Sequence, residues 1–181
     1  MTIYTRRGDD GTTGLLGGVR VRKDEPRIEL LGTLDEAQAH LGVARAECGE
    51  QTEVAQLIEA VERDLWIVMA GVASPRPVGG LVDAAGGTVD AAMVQRLEDE
   101  IDRYAGQTDL APAFAVPGEN RLSAALDVAR TVIRRAERLA VTVLDDAAVL
   151  LAYLNRLSDL CWIVARSVET ERATNHRGGS R

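Results

Sequence analysis

Aromatic side chains are nearly missing from this 181-residue chain: they make up 3%, as one Phe, two Trp and three Tyr. Single-stranded nucleic acid is held by bases stacked on aromatic platforms, so that mode of binding is not expected. Basic residues are also in deficit, 21 Lys and Arg against 28 Asp and Glu, for a net charge of -7. Neutralising the phosphates of a polynucleotide takes a basic surplus, so no nucleic-acid partner is expected. The two cysteines, Cys48 and Cys161, are too few and too far apart for a disulfide framework or a structural zinc site. Each falls in an apolar helical pattern and is expected to be a reduced core thiol, as in a cytoplasmic protein. No uninterrupted apolar run approaches the ~18 residues of a membrane span, and MTIYTRRGDDGTTG has no apolar signal core. The expected setting is therefore the cytoplasm, with no membrane partner. The two histidines are His40 and His176, and neither follows a Glu by three residues. That removes the paired Glu-x-x-His motif of di-iron bundles, and no credible Ser-His-Asp or Cys-His arrangement exists. No metal-ligating set is read. Any reaction would have to borrow its reactivity from a bound cofactor.

What is present is aliphatic: 46% of residues are hydrophobic, supplied by Leu, Val, Ile and Ala. Five segments carry apolar residues at three-to-four spacing, the period of amphipathic helices. The first runs from Arg27 to about Cys48 with Leu30, Leu31, Leu34, Leu41 and Val43. The second runs from about Thr52 to Val72 with Val54, Leu57, Ile58, Val61, Leu65, Val68 and Met69. Two prolines and four glycines between Ser74 and Gly87 forbid a continuous helix there. The third helix is expected over Val89 to Tyr104, closed by Gly106, the fourth over Asn120 to Leu144, and the fifth over Ala147 to Glu169. No convincing period-two segment is visible. The expectation is an all-α five-helix bundle, in which each helix buries one face. Residues 1–26 form a loop, 27–170 the bundle, and the polar 171–181 a flexible tail.

Three features suggest chemistry. The opening loop concentrates glycine, threonine and basic residues beside two aspartates. Glycines let backbone amides turn toward an anion, and Arg or Lys adds charge, although a flexible arm would read the same way. It does not match G-x-x-x-x-G-K-[ST]. On helix four, Arg130, Arg134, Glu137 and Arg138 share a face at i, i+4, i+7 and i+8. Three guanidiniums on one stripe repel unless anions lie between them, and a triphosphate would serve; a solvated basic face is the plainer alternative. Arg135 lies about 100° away. On helix five, Asn155, Arg156, Asp159 and Arg166 interrupt an apolar pattern, either as a structural network or as one wall of a ligand site. Asp35 interrupts helix one and could accept from an arginine of helix four. Phe114, in the loop before helix four, is either a hydrophobic staple or an apolar wedge beside a flat ligand.

Taken together, three blocks resemble the PduO-type ATP:cob(I)alamin adenosyltransferases. They are YTRRGDDGTTGLLGGVRVRKD at Tyr4 to Asp24, ELLGTLDEAQAHLG at Glu29 to Gly42, and FAVPGENRLSAALDVARTVIRRAERL followed by YLNRLSDLCWIVAR. Order and spacing hold from Tyr4 to Arg166. The resemblance implies a ferritin-like five-helix bundle assembled as a homotrimer, with ATP and corrinoid bound between subunits. It carries Thr5, Arg6, Arg7, Gly8, Thr13, Gly14 and Lys23 into the ATP-wrapping loop. Arg134, Arg135, Ala136, Glu137, Arg138 and Asn155 match the other ATP-contacting positions. Asp35 and Arg130 match an inter-subunit ion pair that organises the corrinoid side, and Phe114 matches the residue that displaces the lower axial ligand of cobalamin.

The implied reaction is adenosyl transfer from ATP, with Mg(2+) on the phosphates, to cob(I)alamin. A flavin-dependent reductase and a cobalamin-dependent enzyme are the implied partners. An ATP-binding regulator on the same bundle is the alternative. The sequence departs from the family pattern at Arg7, where Thr is usual, at Glu119 in place of Gly, at Trp162 in place of Phe, and at Asp127 in place of His. An acid at 127 changes the local charge on the corrinoid side.

Overall fold

A computed structural model describes residues 3–49, 52–74, 89–109, 115–145 and 147–178. Five helices dominate it: α1 (Pro26–Ala46), α2 (Thr52–Ala73), α3 (Ala91–Gln107), α4 (Arg121–Val143) and α5 (Ala148–Gly178). Local chemistry explains most boundaries. Pro26 opens α1 at a position where its missing N–H costs nothing. Asp90 caps α3 by accepting from the Met93 amide at 2.9 Å. Asn120 and Ser123 form a reciprocal capping box at the start of α4, and the Asn120 amide also reaches the Val168 carbonyl on α5 at 3.4 Å.

Three boundaries differ from expectation. Gly106 lies inside α3, which closes one residue after Gln107 when the Thr108 amide bonds the Ala105 carbonyl. The fifth helix does not stop at Glu169 but continues to Gly178, because extending an existing helix adds one hydrogen bond per residue fixed. The opening segment is not irregular throughout. Thr12–Gly14 (β1) and Arg20–Arg22 (β2) pair antiparallel, Thr12 opposite Arg22, around a 3-10 turn at Leu16–Gly18. Gly17 and Gly18 both take φ +83°, a conformation other residues rarely adopt. The breaker expected at Ser74 to Gly87 lies outside the described residues from position 75 on.

Helix α4 packs against α1 and α5, α2 against α1, and α3 against α5. Ion pairs bridge α3 to α2, Arg96 to Asp64 at 3.2 Å and Arg103 to Glu53 at 3.7 Å. Leu34, Leu65, Ile133, Leu154 and Leu157 are among the fully buried core side chains. Tyr153 is equally buried and donates to Asp64 at 3.3 Å. Desolvation pushes that carboxyl above its ordinary range, and the Arg96 guanidinium opposes the shift. Within Ala148–Glu169, α5 is long and apolar enough to match a membrane span, with mean hydropathy 1.4, yet 56% of that window is buried. It is the core helix of the bundle.

Both thiols are free and buried. Burial pushes the Cys161 thiol up to about 12 from the ordinary 9.0 and raises Cys48 as well. The folded protein keeps the Cys161 proton where the unfolded chain has released it. This group therefore favours unfolding as pH rises from about 9 to about 12, and is silent below that window. At pH 8 a disulfide reagent is expected to label neither thiol in native protein and both in denaturant. Rapid native labelling of Cys161 would contradict this packing.

Candidate active site

The hairpin places several loop residues side by side. The Lys23 amide donates to the Gly11 carbonyl at 2.9 Å, which closes the segment from Gly11 to Lys23. Arg20 then braces it from outside. One of its terminal nitrogens donates to the Arg7 carbonyl at 2.5 Å and to the Thr12 hydroxyl. Asp10 accepts from the Thr12 hydroxyl at 2.7 Å and amide at 2.9 Å, and these bonds hold its carboxyl below the ordinary range. Gly8 lies so close to this frame that a Cβ there would be 3.1 Å from the Thr12 carbonyl and 3.3 Å from Lys23 Nζ. Gly8 and Lys23, fifteen positions apart, are thus brought together. Thr5, Arg6, Arg7 and Gly14 are exposed, and Thr13 is half-buried opposite Val21. Arg6 has φ 59°, an unusual conformation for a side-chain-bearing residue, with its guanidinium 5.6 Å from the Tyr4 ring.

Helix α4 distributes its expected site residues over different environments. Arg134 and Arg138 are exposed and make no ion pair among the described residues. Arg135 turns toward α1 and donates to Glu36. Within one chain it is thus Glu36, not Asp35, that accepts from an arginine of α4; Asp35 sits 100° further round α1, exposed. Ala136 is fully buried, about 200° round the helix from Arg134, so its side chain packs in the core. Glu137 accepts from the Asn155 amide at 3.2 Å, which brings these two together across α4 and α5.

The sequence did not assign the residues behind that contact. Asn155 Oδ1 accepts from Arg156 at 2.8 Å, and Arg156 Nε donates to Glu98 on α3 at 2.9 Å. Arg156 was visible beside Asn155; Glu98 carried no signal because its partner is 58 positions away. Arg130, whose expected partner is Asp35 of a second subunit, donates within its own chain through Nε to Asp127 at 3.1 Å. Asp127 is buried and also accepts from Arg166 at 2.7 Å. Phe114 lies outside the described residues. Ala115 to Gly118, which follow it, are exposed.

Exposed guanidiniums on α4 that make no ion pair among the described residues, with a lysine-bearing glycine hairpin at the N-terminus, are the kind of arrangement suited to a polyanion such as a nucleotide triphosphate. Comparison with known proteins makes this specific. The model of the cobalamin adenosyltransferase family matches residues 3–168, and the chain belongs to that family. It is 40% identical over 174 residues to a corrinoid adenosyltransferase of Citrobacter freundii, covering 93% of this chain and 95% of that one. It is also 40% identical over 172 residues to a corrinoid adenosyltransferase of Mycobacterium tuberculosis, covering 91% and 86%. Among solved structures, a variant PduO-type ATP:corrinoid adenosyltransferase from Lactobacillus reuteri, complexed with cobalamin and ATP, aligns with TM-score 0.83. The identity there is 28%, over 95% of this chain and 96% of that chain. The five-helix fold and the family resemblance read from the sequence both hold.

Proposed function

We propose that this chain transfers the 5′-deoxyadenosyl group of ATP to the cobalt of cob(I)alamin, giving adenosylcobalamin and triphosphate. The Co(I) electron pair forms the cobalt–carbon bond, the C5′–O bond breaks, and its electrons leave with the triphosphate. No side-chain nucleophile is required, which agrees with the histidine-poor sequence. The observation that carries the reading is the pair Arg134 and Arg138, exposed and without carboxylate partners among the described residues, in a member of this family. An arginine stripe left unneutralised is suited to bidentate phosphate contacts and to the charge that grows on the leaving group. The protein's part is placement and electrostatics.

Residues 1–26 supply the ATP-wrapping loop through Thr5, Arg6, Arg7, Gly8, Thr13, Gly14 and Lys23; residues 27–170 form the bundle that carries it, and 171–181 the tail. Glu137 and Asn155, already joined by a hydrogen bond, complete the nucleotide side with Arg134, Arg135 and Arg138. Magnesium is expected to travel on the phosphates: among the described residues no three His, Cys, Asp or Glu side chains cluster as a cage. The working unit is a homotrimer in the cytoplasm. Asp35 of one subunit pairs there with Arg130 of the next to organise the corrinoid side, supported by an exposed Asp35 and by Arg130 terminal nitrogens that no described residue engages. Phe114 displaces the lower axial ligand. A flavin-dependent reductase supplies Co(I), and a cobalamin-dependent enzyme takes the product.

The test is an anaerobic absorbance assay with chemically generated cob(I)alamin, MgATP and purified protein. Enzyme-dependent growth of the adenosylcobalamin spectrum with stoichiometric triphosphate is expected. Tight ATP binding while cob(I)alamin merely reoxidises would overturn the reading in favour of a nucleotide-binding regulator. Gly8→Ala gives a local check. The added methyl crowds the Thr12 carbonyl and displaces the Lys23 ammonium, so KM for ATP is expected to rise roughly tenfold, the equivalent of one lost charge-assisted contact, with the corrinoid KM unchanged. An unaltered ATP KM would remove the hairpin frame from nucleotide binding.

A further inference from the structure

Behind Arg130, where α4 faces α5, lie three charged residues that the roles above leave unused: Asp127, Arg166 and Glu169. Asp127 divides its carboxylate between two arginines: Oδ1 accepts from Arg130 Nε at 3.1 Å, and Oδ2 from Arg166 Nη2 at 2.7 Å. Glu169 lies 3.1 Å from the same Arg166 nitrogen. The Asp127 and Arg166 side chains are each 7% exposed, whereas Arg130 is 26% exposed. A buried ion cluster is a poor source of stability, since desolvation offsets the attraction and an apolar replacement is often as stable. Its geometry is specific, however. Arg166 comes from α5, 39 positions along the chain, and fixes the Asp127 carboxylate from behind. That carboxylate in turn holds Arg130 at Nε alone, leaving its two terminal nitrogens without a partner among the described residues.

We infer that Asp127 is a positioning residue for Arg130. An arginine loses considerable rotamer freedom when it engages a partner, and a planar guanidinium held at Nε has lost much of it beforehand. Asp127, locked by Arg166, presents the terminal edge of Arg130 to Asp35 of the partner subunit in one orientation. The inference rests on the role proposed for Arg130 on the corrinoid side. It adds that the pair is organised from inside the bundle, through a residue that touches neither substrate.

The test compares Asp127→Asn, Arg130→Ala and the double variant by steady-state kinetics with cob(I)alamin and MgATP. Asp127→Asn keeps the side-chain shape, and Arg166 keeps Glu169 as counter-charge. It is expected to raise KM for cob(I)alamin roughly tenfold, the loss of one charge-assisted hydrogen bond, and to leave KM for ATP unchanged. Adding it to Arg130→Ala is expected to change nothing further, because the residue it positions is already gone. If Asp127→Asn does not fold, Arg166→Lys carries the same test: it keeps the charge but not the planar grip, and its smaller effect is likewise expected to vanish in the Arg130→Ala background. An equal rise with and without Arg130, or equal changes in both KM values, would show a general structural role and overturn the inference. A silent Asp127→Asn beside a damaging Arg130→Ala would overturn the positioning role alone. A silent Arg130→Ala would overturn both this inference and the corrinoid-side role on which it rests.

Discussion

An Arg134→Ala variant is expected to lose roughly 10²- to 10³-fold in kcat/KM for ATP, the scale seen when one preorganised donor to developing charge is removed. Arg134 is exposed and has no carboxylate to neutralise it among the described residues, so removing it strands no buried charge. Stability should therefore stay within about 0.5 kcal/mol of the parent, the usual range for surface substitutions. Arg134→Lys keeps one charge but cannot grip two phosphate oxygens at once and should fall between the two. Arg135→Ala differs in also breaking an α1–α4 surface ion pair with Glu36, a further loss of stability of about 0–1 kcal/mol. Calorimetric titration with MgATP and initial rates of adenosylcobalamin formation separate these outcomes. ATP affinity of Arg134→Ala equal to that of the parent would take the α4 stripe out of the nucleotide site.

The second large effect is on stability. Leu34 is fully buried in the core between α1 and its neighbours. Truncating it to alanine removes buried methylenes and leaves a cavity that the surrounding helices fill only in part, costing about 3 kcal/mol. For a chain of this size that corresponds to a Tm lowered by ~6–12 °C. Because Asp35 and Glu36 follow directly on α1, looser seating of that helix should also weaken activity before the protein unfolds. Val43→Ala on the exposed side of the same helix is the control, with an expected change near zero. Thermal unfolding followed by helical circular dichroism reads both. Equal losses in the two variants would contradict the assignment of the core face of α1.

These expectations draw on two kinds of information. Helical periodicity, capping residues and breakers are local, and they placed α1, α2 and α4 within two residues of their observed ends. The same locality put Arg134 and Arg138 on one stripe and set Arg135 about 100° away from it. Quoted blocks in order were enough to bring the family into view, and the comparisons agree with it. Short-range pattern failed for the hairpin at Thr12–Gly14 and Arg20–Arg22, since strands of three residues are too brief to display a period of two.

Contacts between helices are a different matter, because nothing in a linear pattern says which faces meet. Glu98 reaches Arg156 across 58 positions, and Asp64 receives Tyr153 across 89. Asp127 stood out in the sequence only as an acid where the family has histidine. Folding buries it between Arg130 and Arg166 and turns an odd residue into a counter-ion with two defined partners. The chain's own chemistry thus settles which helices form and which residues can carry charge. Burial and the close approach of distant helices settle which of those charges are neutralised inside the bundle and which, like Arg134 and Asp35, are left exposed on its surface.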